Sequence, residues 1–409
     1  MTNSQRKAFF ALPSEHQELL IEPPFNFLER FQEIEDAIDT NSNCAIDILE
    51  TGLKWAGLAQ LMEFIKGKSP IDQAPRLLPI HFDTETSHPC VPGLQPALEH
   101  VDFSKASSTI RHLYREWSTE GALERDACFK PLIDYLLQFY KDIPKRERHK
   151  IKILNPGCGL GRFVFELACL GFEAEGCEIS YHMLIGSMHL LNFVERAGQY
   201  RIHPFVLQGS NHLMHKHRMR YVMVPDIYPR DTLDEASLES EIHGSDRLGI
   251  STGDFSVVYK REEFKNQYDV VATIFFLDTA KNPISYFETI MNCLKPGGIW
   301  MNLGPLKWHF EYWDRPRQDE ESDLKSKPSE ADDGDDHGIA NPGAVLLAEQ
   351  DILELLKRYG FTLLHYQDST SHPTGYIHDH KSMETNMFYP SFWVAIKTSS
   401  IEIPNPSVA

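Results

Sequence analysis

A short glycine-rich segment is the first feature of this sequence that could carry chemistry. In KIKILNPGCGLGRF, Gly157, Gly159 and Gly161 follow an apolar run and precede a stretch with helical spacing. Glycines between a strand and a helix let the backbone approach a ligand closely. A dinucleotide site needs G-x-G-x-x-G, and here Arg162 occupies the third glycine position, where its side chain would hinder pyrophosphate binding. Taken alone, the loop is also compatible with a tight structural turn that binds no ligand.

Two acidic residues follow the loop in an order that suits a nucleoside cofactor. Glu178 lies at the predicted end of the next strand, where a carboxylate can accept hydrogen bonds from both ribose hydroxyls. A solvated surface glutamate is the alternative. In TGDF, Asp254 offers an acceptor for an adenine amino group and Phe255 an aromatic wall for its ring. The glycine loop, Glu178 and Asp254 together favour cofactor binding over a turn without a ligand.

The elements that must position these residues change in character near residue 145. From about residue 12 to 144 the apolar spacing predicts helices. After residue 145, short β-rich runs alternate with helical patterns, which is typical of a doubly wound α/β sheet. We predict seven strands, at 151–154, 172–177, 221–224, 268–274, 299–303, 361–366 and 392–397. We predict helices at 162–170, 181–196, 283–294 and 348–358, the last ended by Gly360.

These patterns predict a helical N-terminal region, 1–147, and a catalytic domain, 148–409. Residues 314–341 form an acid-rich stretch without apolar periodicity, which we interpret as a flexible insertion in the second domain.

Composition excludes several classes of function. A net charge of -19 would repel phosphate backbones, so we expect no nucleic-acid partner. Seven dispersed cysteines without a C-x-x-C pair indicate neither a disulfide framework nor a zinc site. HLMHKH and YIHDH lack a further convergent ligand set, and we expect no metal. Without a predicted signal peptide or membrane span, we expect a cytoplasmic protein, with the nucleus as a second compartment.

Three longer segments, taken with the loop and TGDF, resemble the carnosine N-methyltransferase family. They are ERDACFKP, FFLDTAKNPISYFETIMNCLKPGG and NLGPLKWHFE, and the similarity runs from about residue 12 to 397. The resemblance implies a Rossmann-like class I methyltransferase with a seven-stranded sheet, an antiparallel last strand and a helical N-terminal region that helps to cover the cofactor. It implies S-adenosylmethionine as cofactor and a small dipeptide as partner, and it allows a homodimer.

By position, the resemblance also assigns cofactor and acceptor residues. Cofactor roles fall to a set of eight residues: His112, Arg115, Gly157, Gly159, Glu178, Asp254, Phe255 and Ile274. Arg115 would bind the methionine carboxylate, whereas His112 stands where the family usually has glutamine. For the acceptor it implies Asp278, His309, Tyr376 and Phe388. Phe388 or its neighbour Tyr389 replaces a tyrosine-rich run, which removes a phenol that could recognise the dipeptide.

The chemistry of an imidazole acceptor explains why such residues are needed. Neutral imidazole carries one lone-pair nitrogen and one N–H, so positioning matters more than a strong base. A carboxylate such as Asp278 can hold the N–H, leave the other nitrogen free to attack, and stabilise the cation that forms. The alternatives are that Asp278 only caps a helix and that His309 is only structural. The resemblance implies methylation of carnosine to anserine, or of a related histidine-containing dipeptide. Histidine in another peptide or protein, and an inactive methyltransferase-like interaction protein, remain open.

Overall fold

The structure is a computed structural model, and it describes residues 2–56, 81–82, 89–90, 104–311, 343–368 and 373–398. The chain forms two compact units that are not consecutive in sequence. The first comprises Met1–Ala122, Ile185–Arg230 and Ile377–Thr385, and the second comprises Leu123–Leu184, Asp231–Tyr376 and Asn386–Ala409. The predicted acidic insertion, 314–341, lies outside the described residues, and the predicted boundary at residue 147 stays a prediction.

The second unit contains a seven-stranded sheet. Its strands are β1 (Lys152–Pro156), β2 (Glu173–Glu178), β3 (Leu248–Thr252), β4 (Tyr268–Ile274), β5 (Leu294–Gly304), β6 (Phe361–Gln367) and β7 (Ser391–Lys397). They lie in the order β6-β7-β5-β4-β1-β2-β3. Strand β7 runs antiparallel to both neighbours, whereas β1 to β5 pair in parallel. The predicted class I methyltransferase architecture is confirmed.

Apolar side chains on both faces of the central strands explain why this sheet forms. In β4, Val270 and Val271 are both fully buried, and they belong to two different core clusters. In β5, Trp300 shares the cluster of Val271, while Ile299 and Met301 share that of Val270. Because successive side chains of a strand point to opposite faces, such a strand needs helices on each side.

Helices of the second unit cover the two faces. Helices Ala122–Phe139 and Arg162–Cys169 contribute to one cluster, and Pro283–Cys293 and Glu349–Arg358 contribute to the other. The last of these ends, as predicted, before Gly360, which has φ +74° and takes the left-handed conformation. Short helices also occur at Pro229–Ser237 and Phe255–Val258.

One predicted strand of the sheet is wrong. Residues 221–224 do not enter it; Val222–Val224 instead pairs antiparallel with Tyr200–Ile202 in a separate two-stranded ribbon. The third sheet strand is β3, which the sequence pattern did not indicate. It reads LGIST, lies at the sheet edge, and is only half-buried, so it lacks the apolar run that marks the inner strands.

The first unit is mainly helical, as predicted for the N-terminal part of the chain. Its helices include Thr2–Phe10, Ser14–Ile21, Phe27–Trp55, Ser104–Trp117 and His215–Arg218. Helix Tyr181–Asn192 continues from the second unit into this one. Within the first unit, His189 hydrogen-bonds to Thr51 and Tyr200 at 2.7 Å each. None of the described helices is both long and apolar enough to cross a membrane.

Candidate active site

The glycine loop between β1 and helix Arg162–Cys169 has the conformation that its sequence predicts. Gly157, Gly159 and Gly161 have φ values of +69°, +56° and +78°. This left-handed region is costly for any residue with a Cβ. The N–H groups of Gly157 and Cys158 donate to the carbonyl of Cys177 at 2.7 and 3.2 Å, which fixes the loop at the carboxyl end of β2. Gly157 itself is exposed, so a ligand can reach its backbone.

A neighbouring aromatic ring adds a second reason for glycine at position 157. A Cβ there would lie 2.4 Å from Cδ2 of Phe276, closer than real Cβ atoms approach another heavy atom. Phe276 stacks on Tyr286 with a ring separation of 4.7 Å and meets Phe255 edge-on at 5.7 Å. The cofactor loop therefore rests on a fixed aromatic group that sequence reasoning missed.

Glu178 is buried at the end of β2 and holds the loop in place. Its Oε2 accepts a hydrogen bond from the N–H of Gly159 at 2.9 Å, and its Oε1 accepts from Ile179 and Ser180 at 2.8 Å each. Three N–H groups occupy three of the roughly four acceptor sites of a carboxylate. This glutamate is not a solvated surface residue, and its predicted ribose contact would have to use its remaining acceptor capacity.

Asp254 and Phe255 follow β3, the strand beside β2. Oδ1 of Asp254 accepts hydrogen bonds from the backbone N–H and the hydroxyl of Ser256, at 2.8 and 2.6 Å, and so caps helix Phe255–Val258. The Phe255 ring is buried, with an exposed fraction of 4%, and it meets Tyr286 edge-on at 5.5 Å. Their predicted contacts with adenine stay a prediction.

The carboxyl end of β4 leads into an aromatic cluster. Ile274, half-buried, ends the strand, and Phe275 then takes φ +51°, which is rare for a bulky side chain. The ring of Phe275 lies 5.0 Å from Tyr376 and meets Phe388 edge-on at 5.7 Å. The structure therefore brings the predicted acceptor residues Tyr376 and Phe388 together, through a phenylalanine that was not predicted.

Asp278 and His309 are also brought together, by backbone hydrogen bonds. The backbone N–H of His309 donates to the carbonyl of Asp278 at 3.1 Å, and the backbone N–H of Lys307 donates to its carboxylate at 3.0 Å. Asp278 lies in the 3-10 turn Leu277–Thr279 and has an exposed fraction of 3%. It does not cap the next helix, because Asn282 does so.

Burial makes the carboxyl group of Asp278 easier to protonate than usual. Desolvation raises its pKa from 3.8 to about 6, and the hydrogen bonds from backbone N–H groups and the charge of Lys307 oppose this only in part. A group with a pKa near 6 is mostly a carboxylate at neutral pH and can still accept a proton. This is the range in which a general base works best.

His309 is exposed, yet its surroundings partly desolvate the imidazole and so lower its pKa; the nearby charge of Lys307 lowers it further. Both effects favour the neutral ring. A neutral ring has one hydrogen-bond donor and one acceptor. His309 can therefore orient a polar acceptor without adding charge.

His112 and Arg115, the remaining predicted cofactor residues, belong to the first unit, on helix Ser104–Trp117. Nδ1 of His112 lies 3.2 Å from the carboxylate of Glu116, and Arg115 is buried. Their roles at the cofactor stay predictions. In the described part of the chain, no three or more His, Cys, Asp or Glu side chains cluster in a way that could hold a metal ion.

Comparison with known proteins gives a consistent result. The family model described as carnosine N-methyltransferase matches residues 92–399. The carnosine N-methyltransferase of Schizosaccharomyces pombe is 32% identical over 395 residues, which cover 96% of this chain and 90% of the relative. That of Mus musculus is 30% identical over 363 residues, covering 88% of this chain and 73% of the relative.

Solved methyltransferase structures match more distantly. Phosphoethanolamine N-methyltransferase 2 of Haemonchus contortus, in complex with S-adenosyl-L-methionine, is 15% identical, with a TM-score of 0.35 over 68% of this chain and 47% of that one. The strand order of the sheet, rather than this distant match, defines the fold.

The Gly157–Phe276 contact predicts that Gly157→Ala weakens S-adenosylmethionine binding by about tenfold or more. The left-handed φ alone costs about 1–2 kcal/mol, and the new methyl group must also displace the Phe276 ring. Calorimetric titration measures the loss of cofactor affinity, and urea denaturation measures the loss of stability. Gly297→Ala is the matched control, because Gly297 has φ +77° with no atom within 4 Å of its added Cβ. Equal binding by both variants would contradict the prediction.

The raised pKa of Asp278 predicts that Asp278→Asn stabilises the protein. Between pH 3.8 and about 6 the folded state binds more protons at this group than the unfolded state. The contribution of Asp278 to the free energy of unfolding therefore falls as the pH rises through that range, and it stays low at higher pH. Since one pKa unit corresponds to about 1.4 kcal/mol, the free energy of unfolding at pH 8 should rise by roughly 2–3 kcal/mol in the variant.

Urea denaturation at pH 8 and pH 5 tests this, and the gain should shrink at the lower pH. The asparagine oxygen can still accept the N–H of Lys307. Asp269→Asn is the matched control, because that carboxylate accepts the N–H of Lys152 and an ion pair from Lys295 at 2.8 Å, so its loss should destabilise. Destabilisation by Asp278→Asn at both pH values would show that the carboxylate is structural.

Proposed function

The chain belongs to the carnosine N-methyltransferase family, and we propose that it methylates an imidazole nitrogen of carnosine, giving anserine. A related histidine-containing dipeptide is the nearest alternative acceptor. The protein is an S-adenosylmethionine-dependent methyltransferase. The observation that carries the proposal is the buried carboxylate of Asp278, which accepts the backbone N–H of Lys307 at the carboxyl side of β4 and β5, while the backbone carbonyl of Asp278 accepts the N–H of His309.

The residues around the glycine loop fit the cofactor. Gly157 and Gly159 present backbone without side chains, and Glu178 ends β2 beside them. The loop follows β1 and the acceptor residues follow β4, and these neighbouring strands connect to opposite sides of the sheet. Ligands of such sheets bind at this switch point. When bound there, S-adenosylmethionine supplies an electrophilic methyl group on a sulfonium.

Asp278 can select the reactive form of the acceptor ring. Its carboxylate accepts the N–H of a neutral imidazole, which leaves the lone pair of the other nitrogen free to form the bond to the methyl carbon. When the methyl donor is bound, transfer would leave the electron pair of its C–S bond on sulfur and would turn the acceptor ring into a cation. A carboxylate at the opposite nitrogen stabilises that cation more than the neutral ring, so it accelerates the step.

The same carboxylate can complete the reaction. The cationic ring must lose its remaining N–H proton to give neutral product, and a group with a pKa of about 6 can accept it and release it to solvent. Phe275, Tyr376 and Phe388 offer ring faces that exclude water from the acceptor imidazole. His309, whose backbone N–H donates to the carbonyl of Asp278, supplies a further hydrogen-bonding side chain, and its lowered pKa favours the neutral ring.

We expect methyl transfer to carnosine to be more efficient than transfer to free histidine or to a histidine inside a peptide. The family supports the dipeptide over free histidine. A buried carboxylate and a half-buried aromatic cluster suit one small ring better than a folded chain. Initial rates with carnosine, homocarnosine, histidine and histidine-containing peptides give the ratios of kcat/KM. Cofactor binding without transfer to any imidazole compound would overturn the proposed function.

We further expect Asp278→Asn to lower kcat by about a hundredfold or more while cofactor affinity changes little. The amide keeps the shape of the group but loses the charge that faces the forming cation. The rate of the unaltered enzyme should rise with pH through about 6, as Asp278 loses its proton, and again as the acceptor imidazole deprotonates near about 6.5. Only the second rise should remain in the variant. Asp269→Asn, at the other end of β4, should leave kcat unchanged.

A further inference from the structure

The side chain of Lys307 lies next to the proposed acceptor site. Its backbone is fixed by the N–H bond to the carboxylate of Asp278, at 3.0 Å. Its ammonium lies 5.7 Å from the ring centroid of Phe388, a member of the aromatic cluster. Its charge also contributes to the pKa values of both Asp278 and His309. Lys307 therefore places a cation at the edge of the group of residues proposed to hold the imidazole.

This cation has no carboxylate partner within 4.0 Å among the residues that the structure describes, and the residue is exposed. Other surface lysines of the second unit, such as Lys260 and Lys295, each form an ion pair, at 2.6 and 2.8 Å. An ammonium over a ring face gains only a modest attraction when exposed to water. Within the described ranges, therefore, no carboxylate competes with an incoming anion for Lys307.

The chemistry of the reaction determines what that anion should be. A positive charge near a ring that is becoming a cation raises the barrier, because like charges repel. An acceptor that brings its own carboxylate removes this penalty when the carboxylate pairs with the ammonium. In a dipeptide that ends in histidine, only a short aliphatic link separates the imidazole from the terminal carboxylate.

We propose that Lys307 is a specificity residue that binds the terminal carboxylate of the acceptor and so selects histidine at the free C-terminus of a small peptide. This inference rests on the proposed function and deepens it. Lys307 would then favour carnosine over β-alanylhistamine, which is the same molecule without the carboxylate. It would also favour carnosine over an internal histidine of a protein, whose carboxyl group is part of an amide bond.

The experiment compares kcat/KM for carnosine and β-alanylhistamine in the unaltered enzyme and in Lys307→Gln. A charge-assisted contact of about 1.5–3 kcal/mol corresponds to roughly a tenfold to hundredfold preference for carnosine. Lys307→Gln should lose that preference by lowering kcat/KM for carnosine, mainly through KM, with little loss for β-alanylhistamine. Lys307→Arg should retain the preference. Lys295→Gln, near the opposite end of β5, is the matched control and should behave like the unaltered enzyme.

The outcomes separate the two proposals. If Lys307→Gln folds, as urea denaturation reports, and still prefers carnosine by the original factor, the specificity role is wrong while the proposed function stands. If it loses activity equally on both acceptors, Lys307 acts on the shared imidazole or on the fold, and the inference is again wrong. If the unaltered enzyme binds S-adenosylmethionine but methylates neither compound, the proposed function fails and this inference fails with it.

Discussion

Strand β4 ends at Ile274, and the two phenylalanines that follow contact different parts of the site. Phe275 takes φ +51°, a conformation that stores on the order of 1–3 kcal/mol of strain. Its N–H donates to the carbonyl of Leu303 at 2.9 Å, which helps to hold the turn. Its ring joins Tyr376 and Phe388, whereas Phe276 packs on the glycine loop. The cofactor side and the acceptor side of the site are therefore positioned by adjacent residues of one turn.

Asp278 lies three residues after Phe275 in the same segment. The strained backbone of Phe275 and the buried carboxylate of Asp278 are therefore parts of one local structure. A charged group with an exposed fraction of 3% lowers stability unless it gains partners, and the N–H of Lys307 offsets only part of the desolvation. A fold selected for stability alone would place a neutral residue here. The unfavourable burial is understandable if the charge is needed when a cation forms beside it, because low polarity strengthens that interaction.

The sequence predicted the fold well where apolar runs were long, as in β4 and β5, and failed at β3, whose LGIST pattern is short and half-buried. The family resemblance implied Asp278, His309, Tyr376 and Phe388 as acceptor residues; all four lie in the second unit, and their roles stay predictions. The sequence could not predict Phe275 and Phe276 as separate contributors. Their partners depend on one left-handed backbone angle, and phenylalanine carries no local signal for that angle.

Glu178 illustrates why a residue's role cannot be assigned from its type and position alone. The sequence offered two readings, a ribose ligand or a solvated surface group, and the structure shows a buried carboxylate that already accepts three backbone N–H bonds. These bonds orient the carboxylate and the N–H of Gly159 together. A ligand that hydrogen-bonds to the remaining acceptor sites of Glu178 therefore binds to a loop whose conformation is already fixed. Affinity gained in this way needs little ordering on binding, which is how preorganised sites bind a cofactor tightly with few contacts.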